Sequence, residues 1–392
     1  MSNDLPGRAE LVRRASDLVP TLRTFSAWHE ENRRIHDEAV AALAEAGVFR
    51  LRTPLTYGGY ECDTRTLVDV AAELARGDGA AAWTASVYWI PTWMASHFPD
   101  HVQDSVFTSP DSLICGTLSP SAMASPTEGG IVVNGKWGFI TGALHSGWQA
   151  IIAVLLAPEA EPMPVIALVP TSELQVVDDW HTAGLKGTGS VSTVARDLFV
   201  PQERFLPLGA ILQGQGASNA NKSSRIYQAP LLPVAAASSV GVALGLAKAA
   251  LDAFVERLAD RKITYTDYAS QREAPITHLR LADAATRIDE AEFHAHRLAA
   301  TVDRKAAEQA AWTMHERVLA RADMGAAVQR AREAVALLAD ASGGSSIYLD
   351  VPIQRIQRDI QAMSLHALMH PDTNAELYGR LLSGLGPNSL YV

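Results

Sequence analysis

The chain has 392 residues, 48% of them hydrophobic, a formal net charge of −10 and two cysteines. That length exceeds most single cores, so two or three structural units are expected, and the acidic balance argues against a nucleic-acid surface or a polybasic membrane anchor. Cys62 and Cys115 lie far apart without a CxxC spacing, which excludes a thiolate zinc site and a disulfide framework and fits a reducing cytosol.

The opening residues, MSNDLPGRAELVRRASDLV, are charged throughout and lack the apolar core of a signal peptide. No window reaches about 18 apolar residues without charge, so a soluble cytoplasmic protein with no membrane partner is expected. Apolar positions recur at helical spacing in AELVRRASDLVPTLRTF and DEAVAALAEAGVFRL, with Gly47 as a C-cap, and residues 1–112 are expected to form a helical domain. Across 113–210 the runs SLICGTL, GGIVVNGKWGFITG, WQAIIAVLLA, PVIALVP, LQVVDDWHTAGLKGTG and STVARDLFVP are β-rich and separated by Pro, Gly and Asn. The Asn-Gly of VVNGKW predicts a hairpin turn.

Residues 211–230 are polar and Gly-rich and read as a linker. Over 231–392 four Ala-rich helices are predicted at 231–260, 275–304, 306–340 and 352–382, forming an antiparallel bundle. The first of them, LLPVAAASSVGVALGLAKAA, reads as a closely packed buried helix whose small residues suit assembly. The expected fold class is therefore α+β: an N-terminal helical domain, a central antiparallel β-barrel or sheet domain, and a C-terminal four-helix bundle.

Several chemistries are excluded by what the chain lacks. No GxGxxG opens a helix after a strand, GLKGTGSVST has neither P-loop spacing nor its ending, and there is no GxSxG elbow. His366 and His370 share one helical face in HALMH but have no third ligand or adjacent Glu, so no metal is expected. WGFITGALHSGW, residues 137–148, begins as a buried strand and breaks into Thr141, Gly142, His145, Ser146 and Gly147, which a purely structural strand has no need of.

The α–β–four-helix order and four phrases in sequence resemble the acyl-CoA dehydrogenase fold of flavoproteins. VVNGKWGFITGALHSGWQAIIAVL resembles the strand pair that lies against the flavin. DDWHTAGLKGTGSVSTVARDLFVPQERF resembles the segment that closes the β domain. DRKITYTDY and ASGGSSIYLDVPIQRIQRDIQAM resemble the start of the next bundle stretch and the last helices. Where the dehydrogenases carry a Tyr-Glu-Gly-Thr base segment, this chain reads RDIQAMSLHALMHPDTNAELYG, which is similar instead to the two-component flavin monooxygenases of that fold.

The resemblance implies an oxygenase component that receives reduced flavin, FMNH2 in the first place and FADH2 in the second, from a separate NAD(P)H:flavin reductase. With O2 as cosubstrate it would hydroxylate an aromatic or phenolic small molecule through a C4a-hydroperoxyflavin. N- or S-oxygenation, an acyl-CoA dehydrogenase-like activity and a non-catalytic member of the fold stay open as alternatives.

It further implies Thr141 as the hydroxyl beside the flavin, with Gly142 admitting the ring, and His370 as the catalytic histidine, with His366 one turn earlier as its competitor. Trp89, His97, Ser119, Ser121 and Ser146 would flank substrate. Thr188 and Ser190 would meet the flavin's polar edge. Arg261 with Gly343 and Gly344 would hold a phosphate across a subunit boundary of a homotetramer, and Arg358 and Asp359 would form a structural ion pair.

Overall fold

The computed structural model describes residues 5–392, so the first four residues of the charged N-terminal segment lie outside the described residues. Six helices come first: α1 (Arg8–Asp17), α2 (Val19–Asn32), α3 (Asp37–Glu45), α4 (Thr64–Gly77), α5 (Gly79–Ala95) and α6 (Asp100–Val106). Three of their starts carry side-chain caps, His36 at α3 and an aspartate at each of α4 and α5. Asp63 accepts the Thr66 amide at 2.8 Å and Asp78 accepts the Ala81 amide at 2.7 Å, relieving donors that have no helical partner. α5 is buried on nearly every side, with Trp83, Tyr88, Trp89 and Trp93 inside.

The central sheet comprises β1 (Ile114–Gly116), β2 (Ala122–Thr127), β3 (Gly130–Trp137), β4 (Trp148–Leu155), β5 (Met163–Pro170), β6 (Gln175–Val177), β7 (Ser192–Pro201) and β8 (Phe205–Pro207). Its order is β6-β7-β3-β2-β4-β5-β8, with β1 also against β4. The sheet is mixed, not antiparallel as expected, because β1 and β2 both run parallel to β4. They behave as one interrupted strand: Gly116 pairs with Ala150 and Ala122 with Ala153, so residues 117–121 loop out opposite only Ile151 and Ile152.

The hairpin expected at Asn134-Gly135 also falls elsewhere. The turn between β2 and β3 is Glu128-Gly129, with Gly129 at φ 76°. Asn134-Gly135 lies inside β3, where the register shifts by a β-bulge. Asn134 exchanges hydrogen bonds with Asp197 on β7, and a Cβ on Gly135 would stand 2.4 Å from that of Ala122.

The stretch read as a linker is packed. It begins in α7 (Leu208–Leu212), and beyond it buried Asn221 donates to the Ser96 carbonyl and the Gln103 side chain at 2.8 and 3.0 Å. α8 (Leu231–Arg257), α9 (Pro275–Glu308) and α10 (Met314–Ala341) follow, and the last predicted helix is two, α11 (Pro352–Ser364) and α12 (Pro371–Leu382). α11 ends at Ser364, and after a connection of six residues Pro371 opens α12 and keeps the preceding residue, His370, out of helical geometry.

Among the described residues α8 is the one helix long and apolar enough to cross a membrane, and it is the core helix here. Its glycines meet α4 of the same chain. A Cβ on Gly241 would stand 2.3 Å from the Val68 carbonyl oxygen, and one on Gly245 2.2 Å from that of Ala72. The small-residue face thus joins the N-terminal helices to the bundle and is not available for assembly.

Candidate functional site

A cavity of about 1220 Å³ opens where α5, the break in the sheet at 117–120, the loop 180–190, α10, α11 and residues 389–391 meet. One wall is aromatic. Phe139 is 75% exposed and its ring meets Trp180 edge-on at 5.7 Å. Its φ of 61° is unusual for an aromatic residue, a backbone cost that tends to be kept at functional sites.

Beside it three buried hydroxyls form a chain. Thr188 donates to the Leu185 carbonyl at 2.8 Å, so the Ser190 hydroxyl, 2.7 Å away, donates to Thr188. Ser190 then has only lone pairs for Thr141, 2.8 Å away, and the Thr141 hydrogen is spent on it. Thr141 therefore presents an acceptor, not a donor, to the cavity.

His366 stands across the cavity, with its ring 5.3 Å from that of Trp83. Its surface is open to the cavity while protein encloses it elsewhere. That desolvation, with the nearby charge of Arg321, pushes its pKa down to about 4, so the ring is neutral at pH 7. Nδ1 accepts the Leu368 amide at 3.3 Å, which assigns the hydrogen to Nε2 and makes that nitrogen a donor.

Of the residues expected in the site, Thr141, Thr188, Ser190 and Ser119 line the cavity. His370 does not. It sits in the connection between α11 and α12 as the N-cap of α12, and its Nδ1 is buried without a partner, away from the cavity that His366 lines. Gly142 is also turned away: at φ 74° it faces Tyr88, whose hydroxyl donates to its carbonyl at 2.7 Å, and a Cβ would stand 2.2 Å from that hydroxyl.

Ser146 donates to the same carbonyl, and Ser121 donates to the Lys136 carbonyl at 2.9 Å; neither lines the cavity. Trp89 is wholly buried in the core, donating to the Val48 carbonyl at 2.8 Å. His97 packs against Trp93 at 4.2 Å, away from the cavity, and burial lowers its pKa to about 4.

Arg358 pairs with Glu30, not Asp359, whose Oδ1 instead accepts the Leu185 amide. Arg261 and Gly343 do come together, since a Cβ on Gly343 would stand 3.1 Å from Arg261 Nη2, and Gly344 follows in the same turn. Nearby Arg257 depresses the Arg261 pKa beyond the effect of burial, so this is a cationic cluster. It sits at the C-terminal end of α8, whereas the cavity touches Ser239; 18 residues of helix separate Ser239 from Arg257, about 27 Å at ~1.5 Å per residue.

Sequence reasoning missed Arg321, Trp83, Trp180 and Tyr391, all on the cavity wall. One signal was readable for Arg321: the positions three and four residues to either side are Val318, Arg317, Met324 and Gly325, none of which offers a carboxylate.

The donor set fits a flavin: an aromatic wall, an acceptor hydroxyl for a ring N–H, and elsewhere a cationic cluster without a carboxylate for a phosphate. Residues 15–104 match the family model described as acyl-CoA dehydrogenase, N-terminal domain, and 237–371 the one described as acyl-CoA dehydrogenase, C-terminal domain. The chain is 30% identical to the oxygenase component of FADH(2)-dependent resorcinol hydroxylase from Rhizobium sp. (strain MTP-10005), over 97% of this chain and 96% of that one. It is 30% identical to the flavin-dependent monooxygenase oxygenase subunit HsaA of Mycobacterium tuberculosis, over 98% of each. Its structure is similar to that of XiaF from Streptomyces sp., solved in complex with FADH2 and glycerol, with a TM-score of 0.90, 31% identity and 97% of each chain covered.

Proposed function

This chain belongs to the acyl-CoA dehydrogenase family, among its flavin-dependent monooxygenase oxygenase components, and on that premise we propose that it hydroxylates a phenolic small molecule with reduced flavin and O2. The observation that carries the reading is the cavity in which Thr141, Ser190 and His366 face an aromatic wall. A reduced flavin bound there supplies the activation of O2 and the transfer of one oxygen atom to substrate, the other leaving as water. FADH2 is the form named for two relatives at about 30% identity, and we take it ahead of FMNH2, although the more distant structural neighbour TdsC is solved with FMN.

The residues have separate tasks. Thr141 Oγ1 accepts a hydrogen bond, which suits the N–H that a reduced flavin ring carries and an oxidised ring lacks. His366 Nε2 holds a proton at the cavity wall and donates it as a hydrogen bond to oxygen. That is the role expected of His370, assigned here to the histidine that lines the cavity. The apolar remainder, Val87, Ile90, Met94 and Leu232 among it, keeps water from the reacting oxygen.

The chain has no dinucleotide-binding motif, so a separate NAD(P)H:flavin reductase is the source of reduced flavin. We assign the enzyme to the cytoplasm, where its free, buried Cys62 and Cys115 stay reduced. We further infer a homotetramer. Ile347, Tyr348 and Leu349 are 75%, 67% and 77% exposed beside the Gly343-Gly344 turn and suit burial against a second subunit. Arg261 would then reach a phosphate of the flavin held by that neighbour.

The test supplies FADH2 from a reductase in the presence of O2 and a panel of phenols. Hydroxylated product with little H2O2, and no NADH oxidation by the isolated chain, is expected. NADH oxidation without the reductase, or bleaching of bound FAD by an acyl-CoA under anaerobic conditions, would overturn the reading.

A further inference from the structure

Arg321 is a buried cation without a counter-charge in reach. It is 4% exposed, sits two turns into α10 and lines the cavity. Nε donates to the Asn374 side chain at 2.7 Å and Nη1 to the Tyr391 carbonyl, both neutral acceptors. No carboxylate among the described residues lies within 4.0 Å of it.

Other buried charges are paired or lie in the field of carboxylates. Lys305, 7% exposed, pairs with Glu316, and Asp323, 2% exposed, pairs with Arg297. Arg52, buried as deeply as Arg321, lies in the field of Asp303 and Asp63. Burial alone accounts for the depressed pKa of Arg321, to about 10, with no acidic group opposing it.

The cavity wall offers no compensation either. Its lining contains no Asp, Glu or Lys; Arg358 is paired with Glu30, a carboxylate that Lys186 shares, and His366 is held neutral in part by Arg321 itself. A largely apolar cavity whose wall carries guanidinium groups and no carboxylate has a positive interior. Taking a cation out of water is costly unless an anion or strong acceptors replace the solvent. The N–H groups that Arg321 does not spend on Asn374 and Tyr391 remain to hold such an anion.

We propose that Arg321 seats the substrate, and that the cavity selects aromatic molecules carrying an anionic oxygen, a phenolate or a carboxylate, over neutral aromatics. This rests on the aromatic-substrate reading above and deepens it by naming the charge. Arg321 is a specificity residue that touches substrate, whereas its contact with Tyr391 also holds residues 389–391 against the cavity. A purely structural role in holding those residues would leave anion selectivity untouched.

The experiment is equilibrium titration calorimetry of the whole chain at pH 8, with and without FAD, using benzoate, 4-nitrophenolate and neutral nitrobenzene. In the wild type one or both anions should bind at least about tenfold tighter than nitrobenzene, the scale of one charged hydrogen bond. Tighter nitrophenolate identifies a phenolate as the natural group; tighter benzoate identifies a carboxylate. Arg321→Met should reduce the preference to near parity, and Arg321→Lys should keep part of it. Equal binding of nitrobenzene and both anions by the wild type, which requires no variant to fold, overturns the proposal while sparing the aromatic-substrate reading. A preference unchanged in Arg321→Met overturns it too. Binding of none of the three would overturn both.

Discussion

Thr141 has no hydrogen left for the cavity, because the chain through Ser190 and Thr188 ends on a carbonyl that can only accept. Thr141→Val keeps the shape and removes the acceptor. We expect it to weaken FADH2 binding more than FAD binding and to divert reduced flavin to H2O2, with oxygen transfer slowed roughly a hundredfold, the usual cost of one preorganised hydrogen bond. His366→Asn should slow oxygen transfer similarly while His370→Asn leaves it within a few-fold; peroxide yield per FADH2 compares the three. Because burial and Arg321 hold the His366 pKa near 4, well below the ordinary value of 6.5, the ratio of product to peroxide should be flat between about pH 6 and 8. A break near 6.5 would contradict the assignment. Asp359 titrates the other way: burial, with the charge of Asp78 adding to it, raises its pKa from 3.8 to about 7. The folded state thus resists ionising a group that the unfolded chain ionises freely, so stability falls as pH rises from about 4 through 7. Asp359→Asn, which keeps an acceptor for the Leu185 amide, should raise Tm at pH 8 and leave it unchanged at pH 4.

Periodicity made the long helices and most of the strands legible, because burial on one face leaves a period in the sequence. It failed where a local signal served a tertiary contact. Asn134-Gly135 reads as a turn, but its glycine makes room for Ala122 and its asparagine bridges to Asp197. Pro126 hides β2, and the connection over 365–370 interrupts a helix whose apolar pattern runs on to α12. The glycines of α8 announce a close approach without naming the partner, which is α4. Gly245→Val would force its side chain into the Ala72 carbonyl, 2.2 Å from the new Cβ, and separate the N-terminal helices from the bundle. We expect a loss of at least about 3 kcal/mol, visible as a lower Tm, whereas Gly209→Ala, with nothing within 4 Å, should be nearly silent.

The site was legible where one phrase of sequence carries it and illegible where folding assembles it. Thr141, Thr188, Ser190 and Ser119 sit in local motifs of the β region. Arg321 and Tyr391 come from α10 and the residues after α12 and meet only in the folded chain. The preference for His370 over His366 rests on its neighbours in sequence; both lie in the short connection between α11 and α12, and only the fold turns one of them, His366, to the cavity. The Arg261 cluster lies about 27 Å along α8 from the cavity, and our proposal that it serves a neighbour's flavin depends on a second subunit. Light scattering should report a tetramer; Leu349→Asp should yield smaller species that bind FADH2 more weakly, while a monodisperse wild-type monomer would sink the assembly claim.

The interruption of the strand beside β4 gives this enzyme a place to change its diet. Ile114–Gly116 and Ala122–Ala124 are each locked in register to β4, so residues 117–121 can lengthen, shorten or vary between two fixed anchors. Thr117, Leu118, Ser119 and Pro120 face the cavity, yet Thr141 and Ser190 hang from other segments. New substrates can therefore be acquired by variation at these few codons without disturbing the oxygen chemistry, and a mutant library confined to them is a compact route to altered selectivity.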